Sequence, residues 1–242
     1  MLMHLIRMKM IVAALLVSCM VLNGADEKPV LHIGFDNENP GSFPSKWGYA
    51  WGKKPEDHLV YISNAEHVSL KQCLIISAAS TPSQWAMGAQ VSNITEGWAV
   101  FSFCFKIHGS GTDVAIGFRV IDSSGLGAIG FSAVSLGNKR VTFGKDTLLG
   151  AWQEDIWHRV ILWLPTQGGK QQMAHGLLQR QKPDMTWEEA GKLEGIPATP
   201  PPGYGSLQLL IYKNNFTACF DDFIILQQKT LEIPDVFKKE IK

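Results

Sequence analysis

Hydrophobic residues along this chain recur with a period of two. In Trp98–Ile107, Phe101, Phe103, Phe105 and Ile107 fall on one side, while Ser102, Cys104 and Lys106 fall on the other. Side chains alternate faces along a strand, so this segment reads as a strand with one core face and one half-open face. Asp113–Ile121 sets Val114, Ile116, Phe118 and Val120 against Ala115, Gly117, Arg119 and Ile121. Trp157–Leu164 sets Val160, Leu162 and Leu164 against Trp157, Arg159, Ile161 and Trp163. Further strand signals lie at Val30–Phe35, His58–Ile62, Cys73–Ala78, Trp85–Val91, Ala128–Val134, Lys139–Phe143, Ser206–Tyr212 and Thr217–Leu226. Turn-forming clusters such as Asn39-Pro-Gly-Ser42 and Asp122-Ser-Ser-Gly125 separate them. Many short strands with almost no helical periodicity predict an all-β fold of two packed antiparallel sheets.

The strand at Thr217–Leu226 carries two adjacent carboxylates at its centre. Strict alternation puts Ala218, Phe220, Asp222, Ile224 and Leu226 on one face, and Thr217, Cys219, Asp221, Phe223 and Ile225 on the other. Whichever face is buried, one Asp points at it, and a buried carboxylate needs donors, a cation or a metal ion. Backbone donors are the expected partners. Between Leu164 and Ser206 the pattern weakens. Met173–Gln181 fits a hairpin strand, and Asp184 to Gly191 has a capping start and a Gly stop that suggest a short helix near 184–191. Ala198-Thr-Pro-Pro-Pro-Gly203 reads as an extended loop, and 229–242 as a surface tail.

Residues 1–25 fit a secretory signal peptide: Arg7 and Lys9 precede an apolar run, Ile11 to Leu22, that leads to Asn23-Gly-Ala25. The run is too short to span a bilayer, which takes roughly 20 residues. Met8 offers an alternative start. Leu16-Val-Ser-Cys19 resembles a bacterial lipobox, so Cys19 is a candidate lipidation site. The expected location is secreted or periplasmic, or lipid-anchored at the cell surface, with the mature domain at 26–228 and no transmembrane span in it. Removing Arg7 and Lys9 leaves 20 basic against 22 acidic residues, a net of −2. No nucleic-acid or anionic-membrane footprint exists in that balance. The mature chain keeps Cys73, Cys104 and Cys219, all inside apolar runs and expected as buried thiols. No Cys-x-x-Cys or His-x-x-x-His spacing occurs, so the sequence offers no zinc signature.

Three segments carry a resemblance. Leu31-His-Ile-Gly-Phe-Asp-Asn-Glu-Asn-Pro-Gly41 with Phe43-Pro-Ser-Lys-Trp47 resembles the first strand of secreted jelly-roll modules of the concanavalin A-like and laminin-G-like kind. Trp157-His-Arg-Val-Ile-Leu-Trp163 resembles a recurrent strand of theirs, and Cys219 to Leu226 their closing strand. The resemblance implies a jelly-roll β-sandwich, and a carbohydrate-binding or adhesive role, or the catalytic domain of a polysaccharide-degrading enzyme. It also implies a structural Ca²⁺ near the first and last strands, for which Asp36, Glu38 and Asp222 are hard oxygen donors.

Catalytic signatures of that superfamily are absent. There is no Glu-x-Asp-x-Glu strand and no Gln-x-His strand, and Glu154-Asp155 reads as a solvated turn. Sugar rings stack their C–H faces on indoles while planar polar groups take the hydroxyls. Eight Trp residues make that chemistry available. The candidate contacts are Trp47 and Trp51, in a Gly/Lys-rich segment, and Trp157, Arg159 and Trp163, on the non-core face of one strand. The expectation is therefore an exported, non-catalytic module whose partner is a polysaccharide or glycan. A secreted hydrolase or lyase and a structural envelope protein stand as alternatives. Asn93 and Asn215 fit N-glycosylation acceptors in a eukaryotic pathway.

Overall fold

The computed structural model describes residues 28–52, 59–68, 71–77, 85–109, 115–121, 134–137, 139–144, 147–166, 172–198, 204–211 and 216–238. The expected signal peptide with Cys19, all but the last residue of the strand expected over Ala128–Val134, the Pro-rich stretch 199–203, Asn215 and the charged end 239–242 lie outside them.

Two antiparallel sheets face each other. The first contains β13 (Trp187–Ala198), β12 (Gln172–Gln181), β11 (His158–Pro165), β6 (Trp98–His108), β15 (Thr217–Gln228), β4 (Cys73–Ser77) and β3 (Val60–Ser63) in that order. Its eighth strand, β1 (Lys28–Ile33), pairs with the second half of β15. The second sheet runs β10 (Thr147–Ala151), β9 (Arg140–Phe143), β8 (Val134–Gly137), β7 (Ala115–Ile121), β14 (Tyr204–Ile211), β5 (Trp85–Ile94) and β2 (Gly48–Gly52). This is an all-β jelly-roll sandwich.

The core is the sum of the inward positions of both sheets. Phe103 of β6 stacks on Phe118 of β7 with ring centroids 3.7 Å apart, so the two sheets meet ring to ring. Phe105, Phe220, Phe223 and Ile225 complete the layer around them. Burying each such ring contributes about 2–3 kcal/mol.

Alternation holds along β6 and fails along β15. Ala218 and Phe220 point into the core, but so do Phe223 and Ile225, while Cys219, Ile224 and Leu226 face outward. A register shift between Asp221 and Ile224 inserts a β-bulge, and Asp222 adopts a positive φ of 49°. The extra residue exchanges the faces of everything after it. Asp221 is therefore the buried carboxylate. Its Oδ2 accepts the Val68 amide at 3.0 Å and its Oδ1 accepts the Asp222 amide at 2.8 Å.

The expected helix near 184–191 is a hairpin. Asp184 accepts from the Thr186 amide and hydroxyl, Met185 takes a φ of 67°, and β13 begins at Trp187. An Asp that bonds two residues ahead closes a turn with the same side-chain chemistry that caps a helix. Arg180 and Glu188 then form an ion pair across the two strands.

The outer face of the first sheet is covered rather than half-open. The tail forms one turn of helix, α1 (Asp235–Lys238), and Ile233 and Phe237 pack on Val100, Ile161, Trp163, Leu177, Ile224 and Leu226. Beside them Val68, Cys73, Ile75, Cys104, Trp157 and Cys219 form a second outer cluster.

Candidate functional site

The outer face of the second sheet is built differently. On β14, Leu207, Leu209 and Ile211 enter the core, so Ser206 and Gln208 point away from it. On β5, Met87, Ala89 and Val91 enter the core, which turns Gly88 and Gln90 outward. Register places Gly88, Gln208 and Arg119 in one row across β5, β14 and β7. Gly48, Tyr49 and Ala50 of β2 form the rim, and the result is a trough of about 290 Å³.

Three features define its chemistry. Tyr49 is 37% exposed, which leaves a ring face free at the rim. Gly88 keeps the floor low: a Cβ there would meet the Leu207 carbonyl at 3.2 Å and Gln208 Cγ at 3.3 Å. Gln208 Oε1 is shut off from solvent with no hydrogen-bond partner. A buried acceptor left unpaired is costly and marks a place where a donor fits. Loss of hydration raises the Tyr49 phenol above its ordinary value, so its O–H remains a donor at neutral pH.

A second cavity, of about 330 Å³, lies outside β11–β13 under the tail. Trp163, His175, Leu193, Leu231 and Ile233 line it together with the Lys192–Glu194 ion pair. Trp163 is only 5% exposed and shows this space little of its indole.

The aromatic candidates fall apart into separate roles. Trp47 is a core residue, edge-on to Phe223 at 4.9 Å, and has no open ring face. Trp157 is buried in the outer cluster with the three thiols. Arg159 is buried as well: Nη1 donates to the Phe237 carbonyl at 3.2 Å, and the guanidinium lies 4.2 Å from the Trp187 ring centroid. It anchors the tail. The backbone of Trp51 belongs to β2, and its side chain lies outside the described residues. Indoles attract a stacking reading from sequence, but in this sandwich the described ones serve mainly as packing.

Nor do the calcium candidates converge. Asp36 Oδ1 accepts the Lys71 and Gln72 amides at 2.7 and 3.2 Å. Glu38 is held by the Ser45 amide and hydroxyl. Asp222 pairs with His32 at 3.4 Å, and that contact raises the His32 pKa. Asp36 and Glu38 tie down loops while Asp222 bridges β15 to β1, and the three are not gathered into one ligand set.

Sequence reasoning passed over Tyr49, Gly88, Gln90, Ser206 and Gln208. The usable signal was the polar half of the alternation in β14, where Ser206 and Gln208 interrupt a leucine-rich strand.

Solved structures resemble this arrangement over most of its length. The PL-14 alginate lyase from Aplysia kurodai superimposes with a TM-score of 0.56 at 10% identity, covering 83% of this chain and 99% of that one. A carbohydrate esterase from the Shiga toxin-encoding bacteriophage phi24B gives 0.53 at 12% identity, over 84% and 99%. The exoplasmic/lumenal domain of VIP36, solved bound to Ca²⁺ and Man3GlcNAc, gives 0.51 at 10% identity, over 88% and 96%. The chain shares the jelly-roll sandwich fold of these structures. At these identities the likeness is one of fold. No protein-family model matches the chain, and no curated protein matches it in sequence.

Proposed function

We propose that this protein is an exported, non-catalytic glycan-binding module that holds a saccharide in the trough on the second sheet. The unpaired Gln208 Oε1 carries the reading, because it offers a sugar hydroxyl a buried acceptor beside Gln90, Ser206 and an exposed tyrosine ring. Planar amides and a hydroxyl over a flat glycine floor suit hydroxyl recognition, and Tyr49 supplies a surface for the C–H face of a pyranose. The seven lining residues carry no carboxyl or imidazole. Retaining and inverting glycosidases alike flank the scissile bond with a pair of carboxyls, so the lining supports holding over cleaving. That several structures of this fold are named for carbohydrate chemistry or a bound glycan agrees with the reading.

A glycan array, run with and without a chelator, tests it. The wild type is expected to select a saccharide class, and Gln208→Ala and Tyr49→Ala to lose it while keeping the native melting temperature. Binding to no glycan by a folded wild type overturns the proposal, and release of shortened or unsaturated sugars moves it to the enzyme alternative. Binding lost only with the chelator would place a calcium ion in the site.

A further inference from the structure

A cluster on the outer face of the first sheet, across the sandwich from the trough's sheet, gathers side chains from three distant parts of the chain. Cys219 Sγ of β15 lies 3.5 Å from His108 Nε2, at the end of β6. Glu66, on the loop after β3, places Oε1 3.0 Å from the same nitrogen and Oε2 3.8 Å from the sulfur. These donor atoms lie within 4.8 Å of one another. Cys73 of β4 packs in the same buried outer cluster as Cys219.

We infer that Glu66, His108, Cys219 and Cys73 form a binding site for a thiophilic divalent metal ion, with Zn²⁺ the best match. Tetrahedral zinc holds nitrogen and oxygen at about 2.0–2.1 Å and sulfur at about 2.3 Å, so adjacent ligands stand about 3.3–3.8 Å apart. Nε2 stands 3.5 Å from the Cys219 sulfur and 3.0 Å from Glu66 Oε1, and with one ligand atom from each residue no edge exceeds 4.8 Å, so the pocket is of that size or somewhat wider before any metal draws the ligands in. Carboxylate, imidazole and thiolate are the three zinc-ligand classes, and sulfur disfavours Ca²⁺ and Mg²⁺.

The surroundings are those of a ligating histidine. His108 Nδ1 lies 2.6 Å from Asp155 Oδ1, so that with the proton on Nδ1 the Nε2 lone pair turns to Cys219 and Glu66, as a bound metal would require. A carboxylate behind the imidazole fixes its tautomer and strengthens it as a ligand. Asp155 is aimed by its own backbone: it takes a φ of 58° and its amide donates to the Ile107 carbonyl at 3.1 Å. Lys106 holds the other side of Glu66 at 2.8 Å. Access comes from the Glu66 and His108 side, whose side chains are 29% and 27% exposed, while both thiols are buried.

Two other uses fit less well. A cysteine nucleophile needs an open sulfur, and Cys219 is fully buried. A Cys73–Cys219 disulfide meets the register of the strands: Cys219 stands opposite Ile75, so Cys73 is its diagonal neighbour rather than its facing partner. Diagonal pairs on an antiparallel sheet lie further apart than the 3.5–4.5 Å between Cβ atoms that a disulfide takes.

The test titrates the full-length chain, kept reduced, with Co²⁺ and then Zn²⁺, reading absorbance and bound metal by mass spectrometry. One equivalent of Co²⁺ is expected, with tetrahedral visible bands and a thiolate-to-cobalt band in the near ultraviolet, displaced by Zn²⁺. Cys219→Ser should abolish the thiolate band, and Asp155→Asn should weaken binding by about 10–100-fold. Cys104→Ser, which alters a buried thiol that is not one of the four donors, should bind like the wild type. Less than one equivalent of metal, a Cys219→Ser protein that keeps the thiolate band, equal loss in Cys104→Ser, or a native Cys73–Cys219 disulfide overturns the inference. Glu66→Gln, at a part-exposed position, supplies a folded variant should a cysteine change prevent folding, and it should also weaken binding.

Discussion

Asp221 accepts the backbone amide of Val68 at 3.0 Å, across 153 positions of sequence. One buried carboxylate thereby ties the loop after β3 to the bulge in the strand that runs through the middle of the first sheet. Asp221→Ala leaves the amides of Val68 and Asp222 without this acceptor. Each unsatisfied group costs about 1–3 kcal/mol, so urea unfolding should show a loss of about 2–6 kcal/mol. Asp221→Asn keeps an acceptor and should lose less.

His158 sets a pH dependence. It is buried against Phe105, donates from Nδ1 to the Ile156 carbonyl at 2.9 Å, and accepts the Gln153 amide at Nε2. Burial, aided by the positive charge of Arg180 on β12, lowers its pKa to about 4. The fold therefore holds it neutral. Its contribution is full above the unfolded value of about 6.5 and is lost as pH falls towards 4, amounting to about 3 kcal/mol. Between pH 7 and 4, wild-type stability should fall by that much more than the stability of His158→Gln. Equal pH profiles would show that this histidine is not the sensor.

Gly191 lies where the edges of the two sheets touch. A Cβ there would stand 2.0 Å from the Leu149 carbonyl oxygen of β10. Gly191→Ala must push β10 off β13, with an expected cost of about 1–3 kcal/mol in thermal or chemical unfolding. Gly195, where an added Cβ meets nothing within 4 Å but φ is +66°, separates the two effects. Gly195→Ala should cost only the backbone strain, about 1 kcal/mol.

Gly88→Val should fill the trough without touching the core. Its Cβ would meet the Leu207 carbonyl oxygen at 3.2 Å, Gln208 Cγ at 3.3 Å and Ala50 Cβ at 3.9 Å. Glycan binding should drop at least tenfold, about 1.4 kcal/mol, with a smaller change in melting temperature. An unchanged affinity would move the binding surface elsewhere.

Strands with strict alternation were legible in sequence because each residue reports its own face. Phe101, Phe103, Phe105 and Ile107 needed no partner to be read. Asp221 and Asp222 hid the bulge, since two adjacent polar residues look the same with or without a face exchange. Charged edge positions such as Glu188, Glu189 and Lys192 concealed β13 behind a helix-like start and stop. The tail looked polar because Ile233 and Phe237, which seal the first sheet, are sparse among charges. Glu66, Cys73, His108 and Cys219 have no common spacing at all. Only the strand order brings them together, so the cluster carries no local signature.

The pairing of β1 with β15 has a consequence for when this protein can fold. His32 and Asp222 meet across 190 positions, and β15 lies between β6 on one side and β4 and β1 on the other. A chain delivered from its N-terminus first carries β1, β4 and β6 with unmatched edges until nearly everything has arrived. Closure then waits on a final, distant strand, the slow regime of high contact order. Until that moment the waiting edges are open to neighbouring chains, so the yield of native protein should depend on whatever shields them in the interval.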